Sequence, residues 1–231
     1  MTTTEPGLAA FALTAKTDKY LNLHGVTADD RATFADILQR AQRGNPGSDA
    51  RGFLARLSDG ELSALQKAHG LVEAINVAAL SDEGAANLLR QFDLRVDLDN
   101  DGFVEVGAAT TWRFPPVNAP ADIKAAWEEA TLSLTDREKM LKMAPFMAKV
   151  AGANVRFDAA GSPVGMAEPG DPDYRNIFAE SGFSYSQMTR ELLAELERFK
   201  YTLSATDYGE RKGFLEQIRF NRGHILLRQS S

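Results

Sequence analysis

Residues 97–105 read Asp-Leu-Asp-Asn-Asp-Gly-Phe-Val-Glu, setting four carboxylates (Asp97, Asp99, Asp101 and Glu105) within nine positions. Charges this close repel one another unless something positive sits among them. A hard divalent cation turns them into ligands. Ca2+ takes six to eight oxygens in irregular geometry, whereas Mg2+ demands a near-octahedral shell and keeps its waters. Gly102 falls where a chain wrapping an ion must turn, and glycine adopts left-handed backbone without a Cβ clash. The pattern therefore predicts a Ca2+ site. A plain Asp-Gly turn needs only one or two such residues. It does not call for acids at alternate positions before it and another three after.

The spacing D-x-D-x-D-G-x-x-E resembles the calcium loops of EF-hands, of bacterial dockerin modules and of the FG-GAP repeats in integrin-type propellers. It covers only about a dozen residues and is a likeness of mechanics rather than of fold. The resemblance implies Asp97 as first ligand, Asp99 as third and Asp101 as fifth. Phe103 would give its carbonyl at the seventh position and Glu105 would close the loop at the ninth, with Val104 as an apolar anchor. An EF-hand, however, has a bidentate Glu at position twelve. Here that residue is Ala108, Asp93 stands where the incoming helix should be apolar, and the residues after Gly107 supply no second helix. A nine-residue loop of the FG-GAP kind fits better. Without the bidentate Glu, the expected affinity is roughly 10⁻⁴ to 10⁻³ M, and the expected role is structural.

The elements around the loop read as mostly helical. Thr27 caps a helix bearing Phe34, Ile37, Leu38 and Ala41 at the spacing of one buried face, ended by Gly44 to Gly47. Ser58 and Glu61 form a capping-box pattern before Leu62, Leu65 and Val72. Ser81 caps a helix with Ala85, Leu88, Leu89 and Phe92. Leu94, Val96 and Leu98 then alternate with polar residues, which predicts a strand, and Phe103 to Val106 resumes extended character. Pro115, Pro116 and Pro120 mark a linker, since proline continues neither a helix nor a central strand. Beyond it, Asp122 to Ala130 is a helix with Trp127 on its apolar side. Thr135 and Glu138 open another with a stripe of Met140, Met143, Ala144 and Met147. A hairpin is expected near Phe157 to Val164. Ser184 and Gln187 open a helix with Met188, Leu192, Leu196, Phe199 and Leu203 on one face, and a last helix from Ala205 carries Phe214, Ile218 and Ile225. The predicted fold is mainly α, a multi-helix protein with a short β-hairpin carrying the acidic loop. Its expected organisation is an N-terminal arm (1–20), a helical subdomain (21–114), a proline linker (115–120) and a C-terminal helical subdomain (121–231).

Bulk properties exclude some roles. With no cysteine, the chain has no disulfide, thiolate metal site or cysteine nucleophile. A net charge of −6 and a pI near 5.2 argue against nucleic-acid binding, which shows as a basic patch. The apolar run Leu8 to Leu13 is short and follows Glu5, so no secretory signal is read, and no segment approaches the ~18 apolar residues of a membrane span. The expected location is the cytoplasm, or outside it by a route without a cleaved signal.

Other candidates carry less. His24, His69 and His224 lack helical zinc spacing, and His69 reads as a satisfied core or boundary histidine. No nucleophile elbow or phosphate loop is present. Toward the C-terminus, Arg198, Lys200, Arg211, Lys212, Arg219, Arg222 and Arg228 outnumber Asp207, Glu210 and Glu216. That bias reads as a solvated face, or as a surface for a protein partner or a second copy. The sequence thus predicts a calcium-stabilised binding or scaffolding module, with Ca2+ held by Asp97, Asp99, Asp101, Phe103 and Glu105. The competing reading is a hydrolase or lyase with an acidic site between the helical halves.

Overall fold

The computed structural model describes residues 11–44 and 49–218. It is mainly α: nine α-helices and two two-stranded antiparallel hairpins stand among the described residues. No described helix is long and apolar enough to cross a membrane. The chain divides into two compact units. The first holds the described residues up to Asp99 together with Phe103–Thr111; the second holds Asn100–Gly102 and the described residues from Trp112 onward.

In the first unit, α1 (Ala15–Leu23), α2 (Ala28–Arg43), α3 (Ala50–Leu54), α4 (Asp59–Ala68) and α5 (Asp82–Leu88) precede the hairpin of β1 (Phe103–Val106) and β2 (Ala109–Trp112). Thr27 caps α2 by accepting from the Asp30 N–H, and the Ser58–Glu61 capping box opens α4. Phe34, Ile37, Leu38 and Ala41 of α2 are buried, as are Ala64, Leu65 and Ala68 of α4. The ion pairs Asp30–Lys67 (3.0 Å) and Arg40–Glu61 join early residues of α2 to late residues of α4 and the reverse, so the two helices run antiparallel. Val72 lies past the end of α4 and is exposed, because the helix stops at His69 and Gly70 takes a left-handed φ of 65°.

His69 is buried and satisfied. A carbonyl only accepts, so Nε2–H must donate to Leu88 O (3.0 Å), leaving Nδ1 to accept from Arg95 (3.0 Å). The Arg95 guanidinium lies over the Phe92 ring at 4.8 Å, and Phe34 meets the imidazole edge-on. Burial, assisted by the charge of Arg95, pushes the His69 pKa down to about 3.

One sequence expectation fails here. Leu94, Val96 and Leu98 do not form a strand: Phe92–Leu94 is a 3-10 turn and no strand begins before Phe103. The backbone of this segment hydrogen-bonds to side chains of α5 instead of to a neighbouring strand.

In the second unit, α6 (Ala121–Ala130), α7 (Asp136–Ala153), the hairpin β3 (Val155–Phe157) and β4 (Pro163–Met166), α8 (Tyr185–Arg198) and α9 (Ala205–Gln217) surround an aromatic core. Phe114, from the proline-rich stretch, stacks on Phe146 of α7 at 3.9 Å, and Trp127 meets Phe146 and Phe214 edge-on. The face of α7 differs from the expected methionine stripe: Phe146 and Val150 are buried, while Met140 and Met147 are exposed. Phe199 is likewise exposed, because α8 ends there, and Ile225 lies outside the described residues.

The histidine generates a test. A base whose pKa is depressed in the folded state stabilises the fold above its unfolded pKa of ~6.5, and that contribution is lost as pH falls toward the folded value. Urea denaturation should show about 2 kcal/mol less stability at pH 5 than at pH 7 from this residue. His69→Gln should be less stable at pH 7 yet nearly flat across that interval. An unchanged slope in the variant would refute the assignment.

Candidate metal centre

The candidate centre is organised by α5. Ser81 caps this helix by accepting from the Gly84 N–H at 2.8 Å. Two and six positions beyond Ser81, one helical turn apart, sit polar residues where packing would otherwise demand apolar ones: Glu83 is 5% exposed and Asn87 is fully buried. Both face main chain. Asn87 Nδ2 donates to Val96 O and to Glu105 O, each at 2.8 Å, and its Oδ1 accepts from the Val96 N–H at 2.9 Å. Glu83 Oε1 accepts from the Glu105 N–H at 2.8 Å, and Oε2 accepts from the Leu98 N–H. Two side chains thus hold both arms of the acidic loop by backbone atoms.

The approach of β1 to α5 is equally constrained. Gly107 N–H donates to Gly84 O at 3.0 Å, and a Cβ on Gly84 would run into Gly107 O. Gly107 itself has a φ of 62°, a left-handed value that glycine takes without strain.

This frame brings the carboxylates of Glu83, Asp97 and Asp99 together, with one oxygen of each within 4.8 Å of the others. Glu83 and Asp97 are buried and Asp99 is exposed. Burial pushes the Glu83 pKa up; the amides of Glu105 and Leu98 oppose that, and the charges of Asp97 and Asp99 reinforce it. Two like charges at this separation repel by on the order of 3 kcal/mol at an effective dielectric of ~20. Oxygens bound to one Ca2+ at 2.3–2.6 Å can lie up to about 5 Å apart, a span that covers the separation of these three. An all-oxygen set also suits hard cations over the softer transition metals. The donor set is of the kind a hard divalent cation takes.

Of the five residues expected to ligate, Asp97 and Asp99 belong to this group. The Glu105 carboxylate accepts a hydrogen bond from the Ser81 hydroxyl. Phe103 opens β1. Asp101 is counted with the second unit, where its carbonyl accepts from the Tyr174 hydroxyl at 2.9 Å; Asn176 Nδ2 donates to Asn100 O at 2.7 Å. The turn at this point has Asn100 at φ 58° and Gly102 at φ 89°, both left-handed. Glu83 was missed by sequence reading. The available signal was its i, i+4 pairing with Asn87 on a helix whose remaining inward residues are apolar.

No family model, curated protein or solved structure matches this chain.

Asn87 should be indispensable to the frame. Asn87→Ala strands buried backbone groups of Val96 and Glu105, and each unsatisfied group costs about 1–3 kcal/mol. A loss of roughly 3 kcal/mol is expected in chemical denaturation. Asp82→Asn, which breaks only an exposed ion pair with Arg51, should cost less than about 1 kcal/mol.

Proposed function

We propose that this chain is a calcium-stabilised binding or scaffolding module. Ca2+ is taken by Glu83, Asp97 and Asp99, and by analogy with DxDxDG loops Asp101, the Phe103 carbonyl and Glu105 are the remaining candidate ligands. The observation that carries this reading is the convergence of three carboxylates, two of them buried, with oxygens within 4.8 Å of one another. Burying like charges together is unfavourable, and a bound divalent cation reverses the sign of that contribution.

The ion's role in this reading is structural. The loop arms are already held by α5, so the cation neutralises the cluster rather than building the loop. An affinity of roughly 10⁻⁴ to 10⁻³ M matches extracellular modules rather than cytosolic sensors. Such a site fills at millimolar calcium.

Melting curves test the proposal. At 5 mM Ca2+ a site of that affinity adds about 1–2 kcal/mol to folding stability, a rise of several degrees over the same protein in EDTA. Asp97→Asn and Glu83→Gln should each remove the Ca2+-dependent part of the rise. The gain should also shrink between pH 7.5 and pH 5, because the raised Glu83 pKa lets protons compete with the cation. Identical curves in Ca2+ and EDTA at pH 7.5 would end the calcium reading.

A further inference from the structure

Within the second unit, α6 to α9 leave a groove of about 1060 Å3. That equals or exceeds the ~300–1,000 Å3 of small-molecule pockets and suits a peptide segment lying along helices. Its floor includes Leu192 and Phe214. On its walls Leu141 and Phe199 stand 64% and 55% exposed, large apolar side chains left to water beside a concave surface.

The charge around the groove is one-sided. Glu129, Glu138, Glu195, Asp207 and Glu210 line it against Lys142 and Arg211. Three of these acids already have partners: Glu138 serves the cap at Thr135, Asp207 the cap at Ser204, and Glu195 pairs with Lys149. The ammonium of Lys142 lies over the Phe214 ring at 5.1 Å. Glu129, at the end of α6, and Glu210, on α9, form no ion pair among the described residues; the lining cations Lys142 and Arg211 are likewise without one, and the acids stay in excess of them.

We infer that this groove docks a cationic, amphipathic peptide segment of another protein. Bulky aliphatic side chains of that segment seat against Leu141 and Phe199, and its arginines or lysines meet Glu129 and Glu210. Apolar contact supplies the affinity, and the acids select against anionic segments. The inference stands apart from the calcium site, since every residue it uses belongs to the second unit, and a chain that binds no Ca2+ leaves it intact.

The test uses the full chain and two fluorescent helical peptides of roughly 14 residues, about 20 Å long. Both carry leucines at i, i+3, i+4 and i+7; the polar positions are arginine in one and glutamate in the other. The arginine peptide should bind in the micromolar range and the glutamate twin at least about tenfold more weakly. Glu129→Lys/Glu210→Lys should weaken the arginine peptide by about tenfold or more, as should Phe199→Ser. Glu73→Lys/Glu168→Lys, exposed acids outside the groove that change net charge equally, should leave it unaffected. Equal binding of both peptides, or equal loss in both charge-reversed pairs, overturns the inference in favour of bulk attraction. If the peptide binds only after Arg222→Glu/Arg228→Glu, the occupant is this chain's own residues 219–231. If sedimentation then shows a salt-sensitive dimer, it is a second copy. Either result overturns the assignment to a separate partner.

Discussion

The grip of α5 on main-chain atoms organises the first unit. Glu83 and Asn87 lie one helical turn apart, so their side chains point the same way. Between them they satisfy the amides of Val96, Leu98 and Glu105 and the carbonyls of Val96 and Glu105. A buried amide or carbonyl without a partner is costly, so a segment that neither coils nor pairs must find donors and acceptors elsewhere. Here they come from a helix. The position of β1, the close passage of Gly84 past Gly107 and the gathering of three carboxylates all follow from that one arrangement.

The same device recurs in the second unit. Buried Asn154, which caps α7, donates from Nδ2 to Arg175 O at 3.0 Å and accepts from the Arg175 N–H at 2.8 Å. Its own carbonyl accepts from the Ala167 N–H. Each unit therefore secures an irregular stretch by letting an asparagine side chain replace one residue of a missing strand. Asparagine suits this, because its amide presents a donor and an acceptor in the same spacing as the peptide group.

Most helices were legible from the sequence by their caps, although α1, capped by Thr14, and α3, capped by Asp49, were not anticipated. Thr27, Ser58, Ser81, Thr135 and Ser184 all cap helices through the hydrogen bonds their side chains imply. Periodicity misled where a tertiary partner took over. The alternation through Leu94, Val96 and Leu98 has strand character, but its hydrogen bonds run to α5, and nothing local to those residues reveals that. The methionine stripe on α7 holds only in part for a related reason: Met143 packs partly buried against the aromatic core beside buried Phe146 and Val150, while Met140 and Met147 are exposed. Of the carboxylate cluster, Asp97 and Asp99 were visible as a spacing. Glu83 was not: its pairing with Asn87 marks a polar inward face on α5, but its contact with Asp97, fourteen residues away in sequence, leaves no spacing to read.

Because α5 holds residues 96, 98 and 105 by their peptide groups, the anchoring of the loop's two arms does not depend on which side chains those three residues carry. Those side chains can be exchanged without rewriting the scaffold that presents them. Constraint falls on the helix, at Gly84, Glu83 and Asn87, and latitude falls on the loop. Divergent copies of this chain would be expected to keep the former while altering the latter, much as a lock body is retained while its pins are recut.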